Sequence, residues 1–267
     1  MTSIGGGTVI NKITSKNIGF GLLTLLLLLI AHAAIYLAHE YSHSLMAWSL
    51  GWMARPVGID YGRPTLGNFL FLGDVGDGVD YAPIFASGHG VAAAIIALSG
   101  TVLGNGLLYF VIYGLTKWAS AGMSRVGVSF AYWLSLMCAA NVWGYVPLRA
   151  ITTHADIALA AKGLHFSTWT LFPFLAVPAL YTVYHFFRRM FPLCQEKIAA
   201  DSGNDFIFLS VLTAYWFFSF FSGDGIDGSY GLVSQVLCIM SRYVFVPFCT
   251  MYLVSRYYPR SVQSSHE

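Results

Sequence analysis

The chain has 267 residues, of which 57% are hydrophobic, 16% aromatic and only 10% charged, with a formal net charge of +2. A soluble domain carries about a quarter charged residues, so that class is excluded, and the near-neutral balance gives no basis for binding nucleic acid. What remains is an all-α polytopic membrane protein, with the lipid bilayer as its first partner.

Residues 1–17 are polar and Gly-rich and are expected to form a flexible arm. From Ile18 to Leu37 there is no charge, which is long enough to cross about 30 Å of hydrocarbon. Lys12 and Lys16 ahead of this run, and Ala31-His32-Ala33 within it, resemble a signal peptide. The apolar run exceeds the usual 7–15-residue core of a signal and continues to Trp52, so a retained helix over about residues 18–50 is expected. That helix carries His39-Glu40-Tyr41-Ser42-His43 in its C-terminal half. Residues four apart on a helix lie about 40° from each other around the axis, so His39 and His43 share a face and can bind one zinc ion through ring nitrogens. Glu40 sits beside that face, placed to act as general base. It is one of only three Glu in the chain. Ionisable groups at membrane depth are expensive and usually functional.

Residues 55–90 change texture, with Pro56, Pro64 and Pro83 among many Gly and Asp. Short apolar pieces bounded by glycine, such as Asn68 to Leu72, predict a small β-hairpin segment between the first and second spans. Asp74, Asp77 and Asp80 lack the spacing of a calcium loop and are expected as solvated turn residues. Further spans are expected over 91–115, 126–145, 168–187, 206–221 and 231–255, making about six transmembrane helices in a single domain, 1–267. Residues 18–160 would form its catalytic core and residues 161–267 additional helices. Gly100 and Gly104 at four-residue spacing suit close helix contact. Cys138, Cys194, Cys238 and Cys249 form no C-x-x-C pair and imply neither disulfides nor a thiolate site.

A catalytic zinc needs three protein ligands and an open position. His89 and His154 are possible third ligands, and Asp156 is the best placed, because it follows an irregular stretch marked by Asn141 and Pro147. The alternative for Asp156 is a loop aspartate paired with Arg149 or Lys162. His32 is expected to serve helix packing.

Three pieces together resemble the site-2 protease family of intramembrane zinc metalloproteases: His39 to His43, then Ser99-Gly100-Thr101-Val102-Leu103-Gly104-Asn105, then Asn141 through Pro147 to Asp156. The resemblance covers about residues 20–160. It implies that Asp156 completes the zinc site, that 55–88 supplies substrate-holding strands, and that the activity is cleavage of membrane-spanning protein substrates. Thr101 stands where the family has proline, and Ile157 rather than glycine follows the Asp. Asn105 or Asn141 would donate a hydrogen bond to substrate. The other function class that fits is a non-hydrolytic membrane protein, either a metal-binding transporter or an inactive relative that binds membrane helices. Orientation is left open: Lys and Arg near the span ends favour an N-terminus inside, whereas the family resemblance implies the reverse.

Overall fold

The computed structural model describes residues 15–200 and 202–258. Most of the expected N-terminal arm, residues 1–14, lies outside the described residues, while Ser15 to Asn17 already belong to the first helix. That helix, α1, spans Ser15–Ser49 without a break. At 1.5 Å per residue it is about 52 Å long, so the leucine-rich half and the histidine motif are one rigid rod. Two short helices follow, α2 (Leu66–Phe71) and α3 (Tyr81–Ala86). Then come α4 (Gly90–Ala119), α5 (Arg125–Leu148), α6 (Ala155–Gly163) and α7 (Thr168–Ile198). Helix α8 (Gly203–Tyr215) continues into a wide turn over Trp216–Phe220, and α9 (Leu232–Tyr257) ends the described chain. Serine side chains cap the starts of three of them: Ser124, Ser167 and Ser202 accept from the backbone N–H of Gly127, Thr170 and Asn204.

Five of these helices, α1, α4, α5, α7 and α9, are long and apolar enough to cross a membrane. The expected span at 206–221 does not join them. It is helical, but its helix opens on Gly203, Asn204 and Asp205, and these polar residues occupy length that a span would need to be apolar. Helix α5 is the axis of the bundle. Of its most apolar window 78% is buried, against 17–44% for the other four. Around Tyr132, Trp133, Leu136 and Met137 of α5 pack α1, α4, α7 and α8. The Leu22, Leu25, Leu26 and Ile30 side chains of α1 point outward.

The β-hairpins expected over 55–88 are absent, and no strand occurs among the described residues. One antiparallel bridge, Asp60 with Gly76, is the β-pairing found among the described residues. The physical reason is Asn68. Its Nδ2 donates to the carbonyls of Tyr61 (2.8 Å) and Arg63 (2.9 Å), and its Oδ1 accepts from the Asp74 N–H (2.9 Å). One buried amide thus satisfies the backbone groups that a ladder would have satisfied. Thr65 then caps α2, accepting from the Asn68 N–H, and turns the apolar stretch into a helical turn. The segment is fastened along α1 by His32 to the Phe71 carbonyl (3.0 Å), Tyr36 to the Val75 carbonyl (3.3 Å) and Ser44 to the Pro56 carbonyl (2.8 Å). It lies over the helix that carries the histidines.

Candidate metal centre

His39 and His43 leave α1 on one face, one helical turn apart, and their Nε2 atoms stand 3.1 Å from each other. Asp156 Oδ2 lies 3.5 Å from both. The expected third ligand therefore meets the expected pair, and the three side chains each offer one ligand atom within 4.8 Å of the others. Both imidazoles are buried, at 3% and 2% exposure.

The second nitrogen of each ring is held. His43 Nδ1 is 2.7 Å from the Ile96 carbonyl, an acceptor only, so Nδ1 carries the proton and Nε2 presents its lone pair. His39 Nδ1 is 2.7 Å from the amide of Asn105. As placed, Nδ2 faces the ring while Oδ1 is buried without a partner. Turning the amide over lets Oδ1 accept from Nδ1–H and gives His39 the same tautomer as His43. Asn105, expected to donate to substrate, meets the His39 ring here.

Helix α4 approaches α1 at this level because two side chains are missing. A Cβ on Gly100 would collide with His43 Nε2 and lie 2.7 Å from His39 Nε2. A Cβ on Gly104 would lie 2.8 Å from the Ala38 carbonyl and 2.9 Å from His39 Cα. From Gly100 to Leu107 the helix widens into a π turn. Such turns recur at functional sites. One turn earlier the Ile96 carbonyl takes two side-chain donors, His43 Nδ1 and Ser99 Oγ (2.6 Å).

Asp156 arrives by another route. After Gly144 the last turn of α5 distorts, with Val146 at φ −140° and ψ 116° and a cis bond to Pro147. The chain leaves helical geometry until α6 begins, where Ala155 takes φ 66°, a conformation that side chains disfavour. Helix α6 then packs on α4 through small residues. Gly90 and Gly163 face each other so closely that a Cβ on either would strike the other's backbone, and Ala94, Ala97, Ala160 and Ala161 are buried beside them. Asp156 lies in the first turn of α6, which is thereby aimed at α1.

Glu40 is 7% exposed and makes no hydrogen bond or ion pair among the described residues. Asp77 is partly buried, accepts from Tyr81 Oη (3.1 Å), and lies near enough to act on Glu40 and His43. The expectation of solvated turn aspartates holds for Asp74 and Asp80 and fails for Asp77, because the Asn68 hub folds its loop back over α1. On the other side Tyr145 stacks on His39, with ring centroids 4.6 Å apart, and the Arg149 guanidinium lies 4.4 Å from the Tyr145 centroid. Sequence reading missed Tyr145 and the role of Gly100. A small residue opposite a histidine motif was the available signal for the second, and nothing signalled the first.

His89 and His154 do not join the cluster: His89 reaches Ser87 and packs near Trp52, and His154 stacks on Tyr230. Lys162 lies over the Phe85 ring, 4.2 Å from its centroid, rather than beside Asp156. Asn141 is buried on α5 and makes no hydrogen bond to the cluster among the described residues. His32 sits in an aromatic box of Tyr36, Phe71, Trp216, Phe220 and Phe221, as packing predicts.

The donor set can hold a metal ion. Two imidazole lone pairs and a carboxylate oxygen converge on one point, an unfavourable arrangement unless a cation or proton lies between them. Two imidazole nitrogens and one carboxylate oxygen are donor types that zinc accepts. Comparison of the chain with protein-family models, curated proteins and solved structures returns no match.

Proposed function

We propose that the chain is a zinc-dependent intramembrane endopeptidase that cleaves membrane-spanning protein substrates, in the manner of the site-2 protease family that its motifs resemble. The observation that supports this most is the meeting of Asp156 with His39 and His43, beside Glu40, on a helix apolar enough to cross a membrane. His39, His43 and Asp156 would hold the ion. When bound, zinc supplies Lewis acidity toward a carbonyl and brings the pKa of water to about 7.

The work of this chain's own groups follows from their positions. Glu40, which makes no hydrogen bond or ion pair among the described residues, takes a proton from water and returns it to the leaving amine. Ile96 and Asn105 hold the two rings in the tautomer that leaves Nε2 free. Burial of the cluster beneath 55–88 limits water to what the reaction consumes. A substrate helix must unwind locally, since its amides are otherwise hydrogen-bonded within the helix. With no strand in 55–88, the unwound peptide is held by side chains and loop backbone, among them Asn141 in the role expected for it.

The test has two readouts. Purified protein should carry about one equivalent of zinc, and Glu40→Gln should keep it while lowering cleavage of a co-expressed single-span substrate by about 10²–10⁴-fold. Asp156→Asn should lose metal as well as turnover, because a ligand charge is removed. A Glu40→Gln protein that cleaves as fast as wild type would exclude the hydrolytic mechanism. Full metal retention in the His39→Ala/His43→Ala protein would exclude the centre itself. Zinc binding with no substrate cleaved by wild type would leave the non-hydrolytic reading in its place.

A further inference from the structure

Helices α7 and α9 run side by side in the same direction, joined where Tyr257 Oη donates to the Phe187 carbonyl (3.4 Å). Between them lies a groove of about 710 Å³ that contains none of the metal-centre residues. Its polarity changes along its length. The deep end is Trp143 of α5, Phe218 of α8 and Phe245 of α9. No polar atom is free there, because Trp143 Nε1 donates to Ser241 Oγ (2.9 Å). Leu180, Val183, Phe248 and Met251 form apolar walls. At the mouth are Arg188, the one charged lining residue, with the Tyr184 and Tyr252 side chains beside its guanidinium, and Ser255. Arg189 and Arg256 lie on the same ends of the two helices.

An occupant must therefore have a long apolar part and an anionic head. The sequence beyond Tyr258 (Pro-Arg-Ser-Val-Gln-Ser-Ser-His-Glu) is too polar to fill the groove. An apolar substrate helix would leave the charged mouth unmatched. We propose that the groove binds one acyl chain of an anionic phospholipid, with the headgroup phosphate on Arg188 and the Tyr184 and Tyr252 hydroxyls. Charge-assisted, bidentate contact is the mode by which Arg recognises phosphate, and aromatic residues at the mouth suit the membrane interface. The apolar length removes the acyl chain from competing lipid, while the head decides which lipid stays.

The test is native mass spectrometry of the delipidated full chain titrated separately with phosphatidylglycerol, phosphatidylcholine and oleate. Phosphatidylglycerol should fill one site about tenfold more tightly than phosphatidylcholine, the difference expected of one charge-assisted contact. Oleate, with one chain and no phosphate, should bind more weakly than phosphatidylglycerol. Arg188→Gln should remove the preference. Arg189→Gln, on the same turn but outside the groove, should leave it within about twofold. Met251→Trp fills the groove from an exposed position and should weaken both phospholipids without loss of the fold, checked by circular dichroism. Equal binding of the two phospholipids, equal effects of the two arginine variants, oleate binding as tightly as phosphatidylglycerol, or unchanged binding by Met251→Trp would each overturn the proposal. None of these outcomes depends on the zinc content, which is measured on the same samples.

Discussion

At position 100 a single methyl group would close the space in which His39, His43 and Asp156 could hold an ion. The backbone of Gly100 lies against both ligand nitrogens, and the space its side chain would fill is the space between them. Gly100→Ala is therefore expected to lower bound zinc from about one equivalent to below about a tenth, with the helix content of the bundle unchanged. Metal analysis alongside circular dichroism checks this, and an alanine variant that retains its metal would show that the ion lies elsewhere. The histidine pair of the cluster was legible in the sequence, because a four-residue spacing fixes the relation of His39 to His43 before any tertiary contact exists. Asp156 could be shortlisted from its place after an irregular stretch. Tyr145 could not, since its stacking on His39 depends on how α5 bends at Val146, and bend angles have no residue-level signature here.

Among elements, α6 shows how a short helix can be aimed by what it lacks. Gly163 and Gly90 let α6 and α4 touch backbone to backbone, and that contact sets where Asp156 points. Two effects of Gly163→Ala oppose each other. Helix propensity favours alanine by at most about 1 kcal/mol, less at a helix end, whereas the new Cβ strikes the Gly90 carbonyl and lies 3.1 Å from the Ala94 N and Cβ. Backbone cannot yield as a flexible side chain can, so the collision should win. The variant is expected to melt at a lower temperature and to hold less metal, although Gly163 lies at the far end of α6 from Asp156. A rise in melting temperature with metal retained would show that α6 is positioned by something else. The long helices were legible from their apolar length, but the fold of 55–88 was not. Short apolar pieces between glycines are compatible with a strand or a helical turn, and the choice rests on three hydrogen bonds from one asparagine.

For the molecule as a whole, charge is divided between two ends. Lys16, Lys117, Arg125, Arg188, Arg189, Lys197 and Arg256 gather where α1 begins, tied together by Asn17 to Asp205 (2.9 Å), Arg125 to the Ile198 carbonyl (2.8 Å) and Lys197 to the Ser120 carbonyl (3.0 Å). The other end carries Asp60, Asp74, Asp77, Asp80, Asp156 and Asp227 with fewer cations. The positive-inside tendency would place the first end toward the cytoplasm and the His39–His43–Asp156 cluster toward the opposite surface. A cysteine introduced at Asp80 should then react with a membrane-impermeant maleimide in intact cells, and one at Ser120 only after lysis. The reverse labelling would invert the molecule and agree with the orientation that the family resemblance implies. Helix α9 ends beside α7, at the end of the molecule where α1 begins, so labelling of the C-terminal segment should match labelling at Ser120.

The division of the site between α1 and α6 also has a consequence in time. During synthesis His43 leaves the ribosome 113 residues before Asp156, roughly 6–23 s at ordinary rates of elongation. Over that interval α1 enters the bilayer with His39, Glu40 and His43 aboard, and Ile96, Gly100 and Asn105 join it only about halfway through. Seven leucines between Leu22 and Leu29 each favour insertion by about 0.3–0.6 kcal/mol, together comparable to the cost of about 2.5–3.5 kcal/mol for one acidic side chain at a helix centre. The leucine run is thus a tether that keeps an unfinished cluster in the bilayer, and the three side chains that could hold an ion come together only after α6 is translated.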